Sequence, residues 1–582
     1  MGSAVDIDPA QPREGFDADV VILGAGIAGT LLATVLARAG VSVQVLDSGT
    51  HPRFAIGEST IPHTSTLFRL IAERYDVPEI KWLATFDNTR ARVSAACGIK
   101  RGFNFLYHSR GEKQDPELSH QLPIPKIMHV ENHFYRQDLD AWLLALAVRY
   151  GAKVRQGINI TGIDLAENSV TVTSDGGESY RGRFLVDASG FRSPLARTLE
   201  LRESPCRFRH HSRSLFTHMV GVPAWEKIAG KNLGPTPAGE STLHHVFDGG
   251  WIWVIPFNNH ARSMNPLISV GLTVDPRRYP KPEDIPPAQE FRDFIDDFPD
   301  IRRHFAQARP VREWVGTDRL QYSSKQTVGH RWCLAMHAAG FLDPLFSRGL
   351  SFTMDFIHAF AWRLLDALKE DDFAVERFAH VERLQQGLLD YNDGLVANAY
   401  ISFSSFDLWD RWIRIWALGE LLALFESNRS YARYRASHDL SVLDRLEHVA
   451  PHGSLPDVPE VRSFFTWAYA QAAAVGAGGL TEQEAAQALG ERLRQVGFAP
   501  PAFGITDLDN RFFLASPAKI PSTVLWAKRT APEEIGTNLV EALALFARIR
   551  FDPREFDVAE EVKHHLAKAP LLGRLWRARQ SD

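Results

Sequence analysis

The segment Gly24-Ala-Gly26-Ile27-Ala28-Gly29 has the residue types to cradle a diphosphate. It follows an apolar run, Ala18 to Leu23, and opens a helical pattern, Thr30 to Ala39, that Gly40 stops. Gly24 permits the tight turn, Gly26 lets the backbone approach a pyrophosphate, and Gly29 lets helix and strand pack closely. The helix N-terminus then turns its unpaired N–H groups toward the phosphates. A second apolar run, Val41 to Leu46, ends on Asp47, where a carboxylate accepts from a ribose 2′-OH. That acid suits an unphosphorylated adenosine ribose, as in FAD or NAD, and not NADP. Two more elements fit the same ligand class. Arg136, at the head of Arg136-Gln-Asp-Leu-Asp140, carries a guanidinium that suits a pyrophosphate. Asp187-Ala-Ser-Gly190 ends a short apolar strand with a turn whose glycine admits close backbone approach.

Aromatic rings and an amine carry a second chemistry. Gly250-Trp251-Ile-Trp253-Val-Ile255-Pro256 alternates, so a strand turns Trp251, Trp253 and Ile255 to one face. By itself the pattern also describes an aromatic core strand without function. Gly98-Ile-Lys100-Arg101-Gly-Phe-Asn-Phe105 sets a lysine just before another alternating aromatic strand. An amine there can act as a nucleophile, whereas a guanidinium stays protonated. Arg101 is expected on the opposite face of the strand. His244 and His245, just ahead of the tryptophans, could deprotonate a phenol, although a structural or flavin-side histidine is the plainer reading.

These residues need elements to hold them. Strand, helix and strand from Ala18 to Asp47 form a βαβ unit of a parallel sheet. Ser214 to Val222, Trp251 to Phe257 and Leu267 to Val274 predict a β-rich insertion over about 205–330. Helical spacing follows in Asp355 to Leu368, Leu408 to Phe425 and Thr481 to Val496, the last with a capping box at Thr481 and Glu484. The boundaries expected are a leader without fixed structure over 1–16, a core over 17–370 and a helical domain over 371–582. A net charge of −5 gives no reason to expect nucleic acid or an anionic membrane surface. No apolar run is long enough to cross a bilayer. Three scattered cysteines suit neither a disulfide framework nor a metal pair, and the first 16 residues lack the marks of a signal peptide. A cytoplasmic protein without a metal is expected.

With the dinucleotide unit, Arg136 and the Asp187–Gly190 turn in one chain, the sequence resembles flavin-dependent monooxygenases. Trp251-x-Trp253-x-Ile255-Pro256 resembles the signature of the flavin-dependent halogenases within that superfamily. The resemblance implies an α/β, Rossmann-like FAD domain with an inserted β-sheet substrate region and a mostly α-helical C-terminal domain. It implies FAD contacts at Gly24, Gly26, Ile27, Ala28, Gly29, Asp47, Ser59, Arg136, Asp187, Gly190 and Asp343. Ser59 opens a strap, Gly57-Glu-Ser59-Thr60 to Phe105, that joins flavin and substrate sites, and Lys100 falls at the family's catalytic lysine. Trp251 and Trp253 would wall the flavin from the organic substrate. The implied chemistry starts with FADH2 from a separate NAD(P)H-dependent flavin reductase, which reacts with O2. The flavin hydroperoxide oxidises chloride or bromide to hypohalous acid, and the lysine directs it to one ring carbon. Asp343-Pro-Leu-Phe346-Ser347-Arg348-Gly349 matches the family's Asp-Pro and Ser-x-Gly elements. That match implies a halide held by the backbone N–H groups of Arg348 and Gly349, at the positive end of the next helix.

Two departures stand out. Met336-His337 replaces a Gly-Asp dipeptide. Phe346 stands where tryptophan halogenases carry a glutamate, so it joins the shielding aromatics, and an acid or base for Lys100 must come from elsewhere. These features, with His51-Pro-Arg-Phe54, Asn258-Asn-His260 and Thr317-Asp-Arg319, resemble the halogenases of chlortetracycline and pyrrolnitrin biosynthesis. The likeness is dense from about 18 to 415. Those enzymes act on free small molecules, which implies a free multi-ring phenol or pyrrole as substrate. An aromatic hydroxylase on the same scaffold is the alternative, against which the tryptophan pair argues; a non-catalytic flavin-binding protein is a second. The stripe Trp409, Trp412 and Trp416 is expected to be helix core, or a lid over the substrate.

Overall fold

Ala18–Leu23 is buried at every position, as a strand covered on both faces must be. The computed structural model describes residues 10–124, 130–447, 457–550 and 552. Ala18–Leu23 pairs in parallel with Val43–Asp47 on one side and Ser179–Asp187 on the other. Trp332–Leu334 and Lys153–Gln156 extend the two edges, again in parallel. Helices Ile27–Arg38, Arg136–Arg149 and Gly349–Glu370 share one apolar core with this sheet. The carboxyl ends of its strands, Leu23, Asp47 and Asp187, therefore open on one crevice, where ligands of such sheets bind.

A second sheet runs in the order Arg213–Val220, Ile268–Val274, Gly250–Pro256, Thr242–Phe247, Gly102–Tyr107, Ser119–Pro123, with the short Arg309–Pro310 and Val315–Gly316 beside the first of these. The expected β-rich insertion forms, but it recruits two strands from before its expected start. Period-2 alternation sorts its side chains. Trp251, Trp253, Ile255, Phe103, Phe105 and Tyr107 enter one core, and Ile252, Val254 and Leu106 enter another.

The three expected helices are present as Gly349–Glu370, Phe406–Ser437 and Glu482–Arg494, and the Thr481–Glu484 box closes in both directions. Helices beyond 370 cover the aromatic face of the second sheet and share its core: Trp409, Trp412 and Phe464 pack in one cluster with Trp251 and Phe105. An apolar sheet face has to be buried against another layer, and here helices do it. Residues 1–9 of the expected leader lie outside the described residues. Residues 10–16 are tied down and not free, because Arg13 pairs with Asp371 at 2.5 Å and the Arg181 guanidinium lies over the Phe16 ring. Among the described residues no helix is long and apolar enough to cross a membrane, and no group of side chains has metal-binding geometry. The three cysteines are free.

Candidate active site

A cavity of about 660 Å³ opens at the strand ends. Gly24, Gly26, Ile27, Ala28, Asp47 and Gly190 line one side, and Trp251, Trp253, Asp343 and Gly349 the other. Gly26 caps the helix without a side-chain partner, and a β-carbon there would meet nothing within 4 Å. The helix's first N–H groups thus face open room of the kind a diphosphate fills. Gly24 has φ +96°, and a β-carbon would stand 2.7 Å from Ala188 O, so only glycine makes this turn. Gly29 lies behind the cavity wall, against Gly24, in the packing role its spacing predicts. Asp47 accepts from Ala25 N at 2.5 Å and Gly49 N at 2.7 Å, and Arg53 joins it at 2.9 Å. The residues present fit a flavin dinucleotide.

Several expected contacts need correction. The Asp187 carboxylate is fully buried and does not reach the cavity. It accepts from Ser189 N at 2.9 Å, Ser193 Oγ at 2.7 Å and Leu195 N at 3.1 Å, which folds the turn that presents Gly190. Arg136 lines the cavity, but its guanidinium grips Asp140 at 2.7 and 2.9 Å and the carbonyls of Ile56 and Gly57, so it anchors the start of the strap. Phe346 lines neither cavity of the site. It lies behind Trp416, stacked with ring centroids 4.5 Å apart. The Arg348 guanidinium turns away from the flavin cavity and pairs with Glu420, leaving Gly349 at the cavity wall. Met336 and His337 line the same cavity, and burial pushes the His337 ring down to about 4, keeping it neutral.

The tryptophans are held by a polar network. Trp251 Nε1 donates to Tyr400 Oη at 3.1 Å, and Tyr400 Oη donates to Asp343 Oδ2 at 3.0 Å. His210 and Ser212 meet that same carboxylate oxygen at 3.0 Å each. Trp253 Nε1 donates to Ser269 Oγ at 3.1 Å, and its ring lies over Gly271, where any side chain would collide with it.

A second cavity, of about 550 Å³, is lined by Lys100, Phe103, Trp416 and Glu420, and by the C-terminal residues Phe513, Ile520, Val524, Leu543 and Phe546. Lys100 lies on the wall of this second cavity. It is 1 % exposed, donates to Ser59 Oγ at 2.8 Å and Thr60 O at 2.6 Å, and lies 3.6 Å over the Phe103 ring. Ser59 is on the wall of the flavin cavity. Burial pushes the lysine well below its ordinary range, against the opposing pull of Glu131 and Glu420. A neutral amine has two N–H donors, which these acceptors use, and its lone pair remains. Ser59 Oγ continues to Thr242 Oγ1 at 2.9 Å and Thr242 to His133 Nε2 at 2.9 Å, a hydrogen-bonded path leading away from the amine. Arg101 turns aside to Glu240 at 2.5 Å, as expected.

His244 stacks on Phe105 and Trp251 at the flavin cavity, pushed to about 3 by burial and then by Lys100. His245 faces the other way, hydrogen-bonded between His108 and His304 at 2.9 and 3.0 Å. Of the tryptophan stripe, Trp409 and Trp412 are core and Trp416 reaches the second cavity. Sequence reading misses Thr60, Glu131, Thr242 and Glu420. For Glu420 a signal existed: an acid four residues after Trp416, on the same helix face.

The sequence profile of the tryptophan halogenase family matches residues 19–98 and 110–389. The chain is 47% identical over 512 residues to the tetracycline 7-halogenase of Kitasatospora aureofaciens, covering 88% of this chain and 92% of that one. It is 45% identical over 538 residues to the monodechloroaminopyrrolnitrin halogenase PrnC of Pseudomonas fluorescens, covering 90% and 94%. The crystal structure of halogenase PltM in complex with phloroglucinol and FAD superposes with a TM-score of 0.81 at 36% identity, over 85% of this chain and 99% of PltM. A family match across most of the Rossmann core, joined to relatives aligned over nearly the whole chain, makes this protein a member of the flavin-dependent halogenases.

Proposed function

We propose that the chain halogenates a free, electron-rich aromatic compound, a phenol or a pyrrole, with FAD in the first cavity and the substrate in the second. One observation carries this reading. Lys100 lines the second cavity, and the serine it bonds, Ser59, lines the first. Bound FAD supplies the oxidation of chloride or bromide by O2. Gly24, Gly26 and the head of Ile27–Arg38 would hold its diphosphate, Asp47 its ribose, and the turn at Gly190 and the Asp343 loop would border the rest. The backbone N–H groups of Arg348 and Gly349 would hold the halide. Trp251 and Trp253 exclude the organic ring from the flavin, so the halide is the species within reach. Lys100, whose burial disfavours the ammonium, offers an amine that captures the oxidised halogen and fixes it beside one ring carbon.

Reduced flavin would come from a separate NAD(P)H-dependent reductase, as similarity to the tetracycline 7-halogenase and PrnC implies. A cytoplasmic setting keeps the three free cysteines reduced. The test combines the protein with a reductase, FAD, NADH, halide and a panel of phenols and pyrroles, reading halogen isotope patterns by mass spectrometry. A halogenated product that needs the reductase is expected. Hydroxylated product without halogen, or NADH oxidation by this chain alone, defeats the reading.

A further inference from the structure

The wall of the second cavity is largely apolar, and among the described residues three ionisable side chains interrupt it: His63, Lys100 and Glu420. His63 is engaged at both nitrogens, with Ser427 Oγ and Asp355 Oδ1, each at 3.1 Å. Lys100 is the directing amine. Glu420 has no part in the chemistry so far. It projects from Phe406–Ser437, one helical turn after Trp416, and its side chain is 21 % exposed. One oxygen, Oε1, takes the buried Arg348 guanidinium, which fixes the carboxylate in place. The other, Oε2, has no hydrogen-bond partner among the described residues and is not among the buried unsatisfied atoms. A carboxylate with one oxygen anchored and one accessible, in an apolar cavity, is arranged to accept a proton from whatever fills that cavity. Phe346 brings no carboxylate to the second cavity, and the helix Phe406–Ser437 puts one on its wall instead.

We propose that Glu420 is a catalytic base: it receives the phenolic proton of the substrate as the ring attacks the halogen held at Lys100. This rests on the reading that the second cavity is the substrate site, and it commits that site to phenols. In the step, the ring π pair forms the carbon–halogen bond. The nitrogen–halogen bond at Lys100 breaks with its pair left on nitrogen, which takes a proton from solvent. The phenolic O–H breaks, its proton passing to Glu420 Oε2 and its pair forming a ring carbonyl. Rearomatisation returns the proton from Glu420 to the ring oxygen and releases the ring C–H proton to solvent. The oxidised halogen comes from the flavin reaction, and the sum replaces one ring hydrogen by halogen.

The test is a two-by-two comparison. Wild type and Glu420→Gln are each given 1-naphthol and its methyl ether, 1-methoxynaphthalene, and every rate is normalised to the hypohalous acid that protein releases to monochlorodimedone. The glutamine keeps an oxygen for Arg348, and FAD titration checks the fold. Wild type should prefer the naphthol to the ether beyond their ratio with free hypohalous acid, by roughly 10²-fold, the usual range for general base catalysis. Glu420→Gln should lose that preference, and Glu420→Asp should recover part of it. A preference unchanged in Glu420→Gln overturns the proposal, as does an equal loss on both substrates, which would mark a purely structural role. Should wild type turn over neither compound, the same comparison is read as affinity by calorimetry. Naphthol binding weakened by Glu420→Gln, with ether binding unmoved, then supports the base; absent or unchanged naphthol binding overturns it. A panel with no halogenated member defeats the underlying reading instead, which keeps the two failures apart.

Discussion

On the proposed reading Lys100 concentrates the chemistry in one side chain, and its surroundings bear on what it can do. A surface lysine at neutral pH is an ammonium without a lone pair. Here burial works against the ammonium and outweighs the pull of Glu131 and Glu420, so the group is pushed toward the free amine. If it acts only after halide is oxidised, Lys100→Ala should bind FAD and consume O2 from FADH2 near the normal rate. Its halogenated product should fall by roughly 10²-fold or more, with hypohalous acid appearing in a monochlorodimedone trap. Lys100→Arg should fail equally, since guanidinium loses the nucleophilic amine. Arg101→Ala, outside the site beside Glu240, should halogenate normally; the reverse pattern would mean the strap is assigned one residue off. The same burial has a stability signature. Unfolded, the lysine titrates near its ordinary 10.5, and folded it lies well below. Between those values the unfolded chain binds the extra proton, so this group makes stability rise with pH and costs most at the acid end of that window. Lys100→Met removes the term. Urea melts at about pH 7 and about pH 10 should show the stability difference moving in the wild type's favour as pH rises. An unchanged difference would mean the amine is not depressed.

At the scale of elements, Gly250–Pro256 is the strand that, on the proposed reading, decides which molecules meet the flavin. Its alternation sends both indoles to one face, and the neighbouring strand supplies Gly271 as the recess for Trp253. Trp251→Ala and Trp253→Ala should each lower halogenation and cost about 3–5 kcal/mol of stability, because both rings are buried. Chemical denaturation and product analysis read the two effects separately, and full halogenation by a folded double variant would reduce the pair to core packing. Gly271→Ala should displace Trp253 without touching it in sequence, at about 1–3 kcal/mol. The first of these was legible in the chain because period-2 alternation is local; Gly271 was not, since its partner lies on another strand. The same divide runs through the rest of the site. The glycine turn and Asp47 depend on neighbours within one βαβ unit, and they sit where their spacing predicts. The partners of Arg136 and Asp187 were not legible: Arg136 lines the cavity while holding Asp140, and Asp187 folds the turn that presents Gly190. Glu420 had only the local signal of its spacing from Trp416, and Lys100, on the wall of the same cavity, lies far away in sequence.

At the scale of the whole molecule, the second cavity, the proposed substrate site, is walled by residues far apart in the chain. Lys100 and Phe103 come from the strap, Trp416 and Glu420 from Phe406–Ser437, and the outer wall from Phe503 through Phe546. The helices beyond 370 therefore do two jobs with one layer: they bury the aromatic sheet face and they bound the second cavity. Among the described residues, none beyond Asn392 lines the first cavity. On the proposed reading, halide oxidation and substrate choice thus draw on different stretches of chain, joined where Arg348 pairs with Glu420. Leu543, on Glu533–Arg550, is a partly buried member of the outer wall, so a larger side chain there narrows the cavity without reaching Lys100 or the flavin. Leu543→Trp should release hypohalous acid at the wild-type rate and keep halogenating one-ring phenols such as resorcinol. Multi-ring phenols should lose kcat/KM selectively, chiefly through KM, because a filled pocket penalises the bound ground state and transition state alike. Steady-state kinetics on resorcinol, 1-naphthol and a three-ring phenol would show the penalty growing with ring count. Equal losses on all three, or a fall in hypohalous acid output, would mean the C-terminal helices support the catalytic core as a whole and do not select the substrate.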